Sequence, residues 1–563
     1  MNQDPLKTRR LPSIIAFLAS LLIALTTTMA GRKGAVATVD QIATESAKKA
    51  MSVGGNAIDG AIAAGLTLGV VNGYNSGIGG GCFLILRLAD GQRIAIDGRE
   101  MAPAAAHRDM FLKQGLPQIN ASTVGALASG VPGALAAYHY ACQRYGKLPF
   151  SQHLQNAAAI ADEGFPIPPE YARRLSTHAD VIRQFPSSAA ILLTKEGQPK
   201  TAHSVLRQPD LAKTYRQIAE EGTAWFYGGP FAEKTAQWMA RNGGVLSVED
   251  FKNYQIKVRH PIETTYRGLQ IIGMPPPSSG GIHVAQMLNM LESSKLNRLA
   301  QNSADMIHRV AETMKLAFAD RAHWLGDSDY AQVPRGLIDK RYARKLSARI
   351  DMAKTIEVKE YGIPPEAYSN LFNKHTTHFA TADQLGNWVA CTATINTTFG
   401  SKVIIPGTGV IMNNEMDDFC MAPGVPNAYG LVGAEANAIE PGKRPLSSMS
   451  PTIVLKDGKP ILSIGAAGGP TIITQALLGL IHSLDYEKDV TEALAQPRFH
   501  HQWKPDVLRI EKGLPEEVYT ELTRRGHELF MIEQMGATQA IEFRNQAFRA
   551  ASDPRLQGKA VTF

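Results

Sequence analysis

Small apolar and polar residues alternate at helical spacing over residues 40–71, with an interruption at Gly54-Gly55. This pattern predicts two helices that are separated by a glycine stop. From about residue 122 to residue 350 the periodicity is mostly helical with several proline breaks, and another helical run covers residues 471–484. We therefore expect helices to form a large part of the fold.

Strand signals occur in three pairs, and in each pair two apolar-rich runs flank a short turn that contains glycine. Such pairs are typical of β-hairpins. The predicted hairpins join residues 82–88 to 93–97, residues 376–382 to 387–396, and residues 451–455 to 460–464. Because these hairpins lie between helical segments that can cover both faces of a sheet, the sequence predicts a layered α+β architecture.

Alternate residues of the strand predicted at 387–396 share a face. Thr394 and Asn396 therefore point to one side, whereas Cys391 and its apolar neighbours point to the other side, into a core. The polar side is the one that could meet Thr376 on the adjacent strand. A strand that is half exposed to solvent would show the same alternation.

The first thirty residues differ from the rest of the chain. A positively charged start precedes an apolar run over residues 11–25, and small residues follow as far as Ala30. This order is typical of a secretory signal peptide, and the run is shorter than the roughly 20 residues that a membrane-spanning helix needs. We predict that residues 1–30 are a cleaved signal and that the protein is periplasmic or secreted. An uncleaved membrane anchor is the alternative.

The composition is that of a globular enzyme, with 563 residues of which 44% are hydrophobic and 19% are charged. The net charge of +7 comes from basic residues scattered among acidic ones, and no basic run is interleaved with aromatic residues. We therefore expect no nucleic-acid partner. The four cysteines form no C-x-x-C pair, which disfavours a zinc or redox motif and favours buried thiols.

A threonine pair, Thr376-Thr377, follows a stretch over residues 356–374 that carries glycine, prolines and mixed charges. Such a stretch is typical of an exposed linker in which a cut is tolerated. If the bond between His375 and Thr376 is cut, Thr376 gains an α-amino group whose pKa of about 7.7–8.0 suits a general base. One residue then supplies both nucleophile and base. The hydroxyl of Thr376 could make the cut itself by attacking the carbonyl of His375, which gives an ester that water hydrolyses.

A glycine-rich turn separates the last predicted strand from the helix at 471–484. It contains Gly468-Gly469, followed by Pro470. Consecutive glycines let backbone N–H groups approach a ligand, and a helix N-terminus favours negative charge. An oxyanion hole is one use of such a turn. A simple tight turn is the other.

The sequence motifs for phosphate binding and for metal binding are each incomplete. The glycine run at 77–81 is followed by Cys82 where a G-x-G-x-x-G loop needs its last glycine, which disfavours phosphate binding. The histidines at His375, His378 and His500-His501 come without an H-E-x-x-H pattern or matched carboxylates. A metal site is therefore disfavoured.

Five sequence blocks, one of which contains the threonine pair, occur along the chain. They are Asp97-Gly98-Arg99-Glu100-Met101-Ala102-Pro103, Asn373-Lys374-His375-Thr376-Thr377-His378, Thr394-Ile395-Asn396-Thr397-Thr398-Phe399-Gly400, Asn413-Asn414-Glu415-Met416-Asp417-Asp418-Phe419 and Pro445-Leu446-Ser447-Ser448-Met449-Ser450-Pro451. In this order they resemble the γ-glutamyltranspeptidase family. The resemblance implies an N-terminal-nucleophile hydrolase with a four-layer αββα sandwich, and it implies no cofactor or metal. It also implies a heterodimer cut from one precursor, with a large subunit of residues 31–375 and a small subunit of residues 376–563.

The same resemblance implies roles for individual residues. Catalysis is assigned to the nucleophile, the threonine that orients it and the oxyanion-hole pair, which are Thr376, Thr394, Gly468 and Gly469. The groups implied to hold the substrate's α-carboxylate are Arg99, Ser447 and Ser448. Those implied to surround its α-ammonium group are Asn396, Glu415 and Asp418.

Residues 423–434 resemble the lid loop that covers the glutamyl pocket in many members of the family, with Tyr429 as its gate. Such a lid implies glutathione and other γ-glutamyl amides as substrates, with water, an amino acid or a dipeptide as acceptor. A cephalosporin or glutaryl acylase of the same fold is one alternative. An exported binding protein that neither processes itself nor catalyses a reaction is another.

Overall fold

The computed structural model describes residues 33–365, 378–556 and 558–563. The predicted signal peptide and the predicted cleavage site at His375 and Thr376 lie outside this part of the chain. Its strands are β1 Gly34–Thr38, β2 Gly81–Arg87, β3 Arg93–Gly98, β4 Leu112–Lys113, β5 Leu116–Pro117, β6 Phe165–Pro166, β7 Val205–Leu206, β8 Lys257–Arg259, β9 Ile262–Tyr266, β10 Leu269–Gly273, β11 Phe379–Asp383, β12 Trp388–Thr394, β13 Thr452–Lys456, β14 Lys459–Ala467, β15 Phe499–His500, β16 Leu508–Glu511, β17 Leu529–Ile532, β18 Ala537–Arg544, β19 Ala547–Ser552 and β20 Lys559–Thr562. Its α-helices are α1 Gln41–Ser52, α2 Ala57–Val71, α3 Ile119–Thr123, α4 Ala134–Tyr145, α5 Phe150–Glu163, α6 Pro169–Ile182, α7 Pro186–Leu192, α8 Pro209–Glu221, α9 Ala224–Tyr227, α10 Pro230–Arg241, α11 Val248–Lys252, α12 Ser279–Leu291, α13 Ala304–Trp324, α14 Lys340–Ser347, α15 Thr471–Leu484, α16 Val490–Ala495 and α17 Glu516–Arg524.

Two antiparallel sheets form the centre of the described structure. One joins seven strands in the order β20-β1-β11-β12-β2-β3-β8, and the other joins six strands in the order β19-β18-β14-β13-β10-β9. Both sheets mix strands from before and after residue 376, because β12 pairs with β2 and β13 pairs with β10. A cut before residue 376 would therefore leave the two parts of the chain joined by sheet hydrogen bonds.

Three apolar clusters separate the layers. The cluster between the two sheets contains Phe83 and Trp388 from one sheet and Ile453 and Ile541 from the other. A second cluster packs the outer face of the seven-stranded sheet against helices that include α2, and a third packs the other outer face against α12 and α15. The layers follow the order helix, sheet, sheet, helix, so the predicted αββα sandwich is confirmed.

Many local elements agree with the sequence patterns. Helices α1 and α2 are separated around Gly54-Gly55 as predicted, and the side chains of Asp40 and Asn56 cap their N-termini. The predicted hairpins correspond to β2–β3, β11–β12 and β13–β14. Helix α15 coincides with the helical run at 471–484.

Strand β12 is buried over its whole length. Val389, Cys391 and Ala393 belong to the core under the helices, whereas Trp388 and Ala390 belong to the core between the sheets. The predicted burial of Cys391 is confirmed, and the alternative of a half-exposed strand is wrong because a second sheet covers the other face.

The expectation of mostly helical structure over residues 122–350 is wrong for residues 257–273. This stretch forms β8, β9 and β10. On β9, Ile262 and Tyr266 are buried while the residues between them are more exposed, an alternation that covers only 5 residues. So short a period-2 signal does not stand out among long helical segments, and only pairing in the sheets fixes these strands.

The four cysteines, Cys82, Cys142, Cys391 and Cys420, are free and buried, as predicted. Within the described ranges, none of the helices has both the length and the apolar character that a membrane crossing requires.

Gly80 sets how closely the chain before β2 approaches the end of β12. A Cβ at Gly80 would lie 1.9 Å from the carbonyl oxygen of Thr394, whereas a Cβ at Gly77 would meet nothing closer than 3.8 Å. We expect Gly80→Ala to lower the free energy of unfolding by about 1–3 kcal/mol, because overpacking forces the backbone apart. Thermal unfolding should show a lower Tm for this variant than for wild type. Gly77→Ala is the matched control and should leave Tm nearly unchanged; equal losses in the two variants would contradict the tight approach at Gly80.

Candidate active site

Most of the predicted site residues line one cleft of about 1590 Å³. The cleft is built by residues from both parts of the chain, before and after residue 376. The predicted residues on its wall are Thr394, Asn396, Glu415, Asp418, Tyr429, Ser447, Ser448, Gly468 and Gly469. Arg99 is fully buried behind this wall, and Thr376 and His375 lie outside the described residues.

The glycine pair follows β14 and leads into α15. Gly468 has a φ of 134° and Gly469 a φ of 59°, conformations that other residues rarely adopt. A Cβ on Gly469 would lie 2.6 Å from the ring of Tyr429. The hydroxyl of Thr471 donates a hydrogen bond to the carbonyl oxygen of Gly468 at 2.8 Å and fixes the turn. The pair therefore presents bare backbone to the cleft as well as turning the chain.

Thr394 ends β12 with its hydroxyl held in place. Its Oγ1 accepts a hydrogen bond from the backbone N–H of Asn396 at 2.7 Å. Asn396 has a φ of 72°, and its Nδ2 donates to the carbonyl oxygen of Asn414 at 3.0 Å. The hydroxyl of Tyr429 donates to the carbonyl oxygen of Asn396 at 2.7 Å. The end of the central strand is thus bonded directly to the predicted lid.

Arg99 is the charged centre of the site. Its Nη2 lies 2.7 Å from Oδ2 of Asp418, and its Nη1 forms ion pairs with Glu415 and, at 3.4 Å, with Oε2 of Glu100. Burial opposes the charge, yet the three carboxylates, Glu415 first, raise the pKa of Arg99 above its ordinary value. Burial also raises the pKa of Glu415 well above its ordinary value. This carboxyl therefore holds a proton more readily than an exposed glutamate does.

Arg321 is not among the predicted site residues, yet it lines the cleft. Its Nη2 donates to Oγ of Ser448 at 3.3 Å, and its Nε donates to Oγ of Ser279 at 3.0 Å. Burial lowers the pKa of Arg321 to about 10 while Asp418 opposes that shift, so the guanidinium is charged at neutral pH. Arg321 belongs to helix α13, whose periodicity marks it only as a buried position. The adjacent pair Asp320-Arg321 is the sole sequence signal that could have drawn attention to it.

The predicted lid residues lie closed over the carboxylates. Nδ2 of Asn427 donates to Oδ1 of Asp418 at 3.2 Å, and the N–H of Ala428 donates to Oδ2 of Asp417 at 3.0 Å. Burial raises the pKa of Asp417 to about 6. Burial also raises the pKa of the Tyr429 phenol well above its ordinary value. Neutral Tyr429 therefore serves as a hydrogen-bond donor at the gate.

The described histidines that the sequence analysis considered as metal ligands, His378, His500 and His501, have other partners. Nδ1 of His378, at the start of β11, lies 3.3 Å from Oγ1 of Thr392, and burial lowers the pKa of His378 to about 3. His500 bonds to Thr474 and Gln502, and His501 bonds to Asp506. In the described residues these side chains do not converge on a common point.

The sequence of this chain is similar to those of known proteins over most of its length. The family model for gamma-glutamyltranspeptidase matches residues 43–563. The glutathione hydrolase proenzyme of Escherichia coli (strain K12) is 44% identical over 527 residues, which cover 93% of this chain and 90% of the relative.

Two solved structures extend the likeness. That of a cephalosporin acylase from Bacillus halodurans has a TM-score of 0.85 at 26% identity and covers 95% of this chain and 96% of that one. A chain of Helicobacter pylori gamma-glutamyltranspeptidase has a TM-score of 0.57 at 37% identity, and the match covers 58% of this chain and 94% of that one. The fold, the arrangement of the cleft and these similarities lead to one conclusion: the chain belongs to the gamma-glutamyltranspeptidase family.

Proposed function

We propose that this protein is a self-processing threonine hydrolase and acyltransferase that cleaves the γ-glutamyl amide bond of glutathione and related compounds. The acyl group passes through a γ-glutamyl-enzyme ester to water or to an amino acid or dipeptide acceptor. The observation that carries the proposal is the meeting, in one cleft, of the Arg99 carboxylate cluster, the Arg321–Ser448 pair and the glycine pair. Together they offer a pocket for an α-amino acid beside a site for an oxyanion.

The precursor is proposed to lose residues 1–30 as a signal for export to the periplasm or the medium, and to split into residues 31–375 and 376–563. The E. coli relative is named a proenzyme, and the H. pylori chain matches little more than half of this one. Both facts support a two-subunit product. Since each sheet contains strands of both parts, the subunits are expected to stay together as a heterodimer.

The nucleophile is proposed to be Thr376. Described pairs of β11 and β12 include Phe379 with Cys391 and Ala380 with Ala390. Strand β12, which pairs with β11, ends at Thr394, and β11 begins three residues after Thr376, which supports the role of Thr394 in orienting the nucleophile. After processing, the Thr376 hydroxyl attacks the γ-carbonyl and its proton moves to the free α-amine.

The tetrahedral intermediate carries an oxyanion that the backbone N–H groups of Gly468 and Gly469 are proposed to stabilise. Collapse breaks the amide bond, and the protonated α-amine returns a proton to the leaving nitrogen. Water or an acceptor amine then attacks the ester and releases Thr376. Pro470 has no N–H, so the pair before it supplies the donors at this helix start.

When substrate binds, its charged groups are proposed to replace ion pairs and hydrogen bonds that the site residues now form with one another. Arg99 and the hydroxyls of Ser447 and Ser448 receive the α-carboxylate, and Asp418, Glu415 and Asn396 receive the α-ammonium group. Arg321 donates to Oγ of Ser448, which leaves the hydroxyl proton of Ser448 available for the carboxylate. Arg321 is thus a positioning residue that also adds positive charge to this end of the pocket.

A cephalosporin or glutaryl acylase is the second candidate, and the likeness to the B. halodurans acylase favours it. The lid favours the γ-glutamyl assignment instead, because the ring of Tyr429 lies against Gly469 and its hydroxyl is bonded to Asn396 across the glutamyl end of the cleft. A non-catalytic binding protein is disfavoured because the polar groups required for catalysis are present throughout the described part of the site.

Intact mass measurement tests the processing step. Wild-type protein should give two fragments, one of which begins at Thr376, whereas Thr376→Ala should remain uncut because it lacks the attacking hydroxyl. Thr377→Ala is the matched control and should still be cut. An uncut, folded wild-type chain would overturn the self-processing enzyme and favour the binding protein.

The role of Arg321 is tested by Arg321→Gln. A hydrogen bond to a charged group contributes about 1.5–3 kcal/mol, so kcat/KM for γ-glutamyl-p-nitroanilide should fall about 10–100-fold, mainly through a higher KM. Arg321→Lys should recover only part of the loss, because lysine keeps the positive charge but lacks the planar guanidinium and its paired donors.

Arg309→Gln, on the same helix but away from the cleft, is the control and should keep wild-type kinetics. If Arg321→Gln lowered Tm strongly and reduced kcat without changing KM, its role would be structural and the positioning role would be rejected.

A further inference from the structure

The cleft extends well beyond the glutamyl pocket. Past Asn396 its wall continues through Thr397 and Thr398 to the first turns of α6, where Glu170, Arg173 and Arg174 line it. Nη1 of Arg174 donates to Oγ1 of Thr398 at 3.1 Å. The segment that leaves the catalytic strand therefore connects the reaction centre to an arginine at the mouth of the cleft.

Two guanidinium groups share a single carboxylate at this mouth. Glu170 accepts from Nε of Arg173 at 2.8 Å and from Nε of Arg174 at 2.6 Å. The cluster of Glu170, Arg173 and Arg174 thus carries a net positive charge. Lys402 adds another cation below the same loop, with its Nζ 3.0 Å from Oγ1 of Thr397.

Arg174 is held in place and retains unused donors. Its Nε and Nη1 are bonded to Glu170 and Thr398, which fixes the plane of the guanidinium. Among the described residues no acceptor bonds to its Nη2, and 37% of its side chain is exposed. A planar guanidinium with free donors, facing a cleft, suits a carboxylate ligand.

Two other carboxylates that line the cleft already have partners. Oδ1 of Asp40 accepts from the N–H of Ile42 at 2.7 Å and caps α1, and Glu45 forms an ion pair with Lys559 at 2.8 Å. Neither of them bonds to Arg174, whose side-chain partners in the described residues are Glu170 and Thr398.

Asn396 and Thr398 join the two regions of the cleft. The carbonyl oxygen of Asn396 accepts a hydrogen bond from the gate residue Tyr429, and Oγ1 of Thr398 accepts one from Arg174. The part of glutathione that leaves after cleavage is a dipeptide ending in a carboxylate. An acceptor dipeptide that attacks through its amine would place its own carboxylate in the same direction.

We propose that Arg174, oriented by Glu170 and Thr398 and supported by Arg173, binds the terminal carboxylate of the leaving peptide and of amino acid or dipeptide acceptors. This inference rests on the proposed function and adds a specificity residue on the leaving-group side of the cleft. The enzyme then recognises a γ-glutamyl peptide at two ends, through Arg99 and through Arg174.

Two donors that differ in this carboxylate provide the test. Arg174→Gln should reduce kcat/KM for glutathione about tenfold or more, because a charge-assisted hydrogen bond is lost. The loss with γ-glutamyl-p-nitroanilide, whose leaving group has no carboxylate, should be at least five times smaller. In transfer assays the variant should also lose the wild-type preference for glycylglycine over glycylglycine amide.

Arg183→Gln is the matched control, since Arg183 lies at the other end of α6, is ion-paired with Asp180 and does not line the cleft. It should keep wild-type kinetics with both donors. Equal losses of Arg174→Gln with glutathione and the anilide, or no loss with either, would overturn the inference. A wild-type protein that turns over neither donor would instead contradict the proposed function.

Discussion

A fully buried guanidinium is the constraint on which the rest of the site depends. Arg99 has no access to water, and removing the charge of a partner from such a group costs about 3–5 kcal/mol. Its carboxylate partners Glu415 and Asp418 come from the part of the chain after residue 376. The lid, in turn, is bonded to Asp418 through Asn427. Strand end, ion pairs and lid therefore form one connected unit.

The two stacked sheets make this unit possible. Residues from opposite sides of the predicted cut meet repeatedly, as in the pairing of β12 with β2 and the contact of Arg321 with Ser448. Some of the residues that are proposed to recognise a substrate, such as Arg321 and Ser448, therefore also link the two parts of the chain. Self-cleavage in such a structure creates a new terminus without separating the parts, which is the physical requirement for using that terminus as a catalyst.

Charge is distributed along the cleft in an order that suits a γ-glutamyl peptide. Arg321, the bare backbone of Gly468 and Gly469, and Arg174 all line the cleft, and Arg99 lies buried behind the carboxylates of Glu415 and Asp418. Charged groups buried in or near protein interact more strongly than they do in water. If Arg99 and Arg174 bind the two charged ends of the peptide as proposed, they fix where the amide bond lies between them.

The sequence by itself determined many of the local elements and the chemistry that is expected of the site. Period-2 alternation placed Cys391 in a core and Thr394 on the opposite face of its strand, and the Gly468-Gly469 turn was evident before α15. These features depend on residues that are near one another in the chain, where backbone geometry alone sets which side chains share a face.

Only the tertiary structure decided that β8 to β10 are strands, that Arg321 supports Ser448, and that Arg174 borders the cleft at Thr398. Each of these involves partners that are distant along the chain, such as β10 with β13. Periodicity carries no information about such partners. The pairing and stacking of the sheets bring them together, because each sheet buries its apolar faces against other layers.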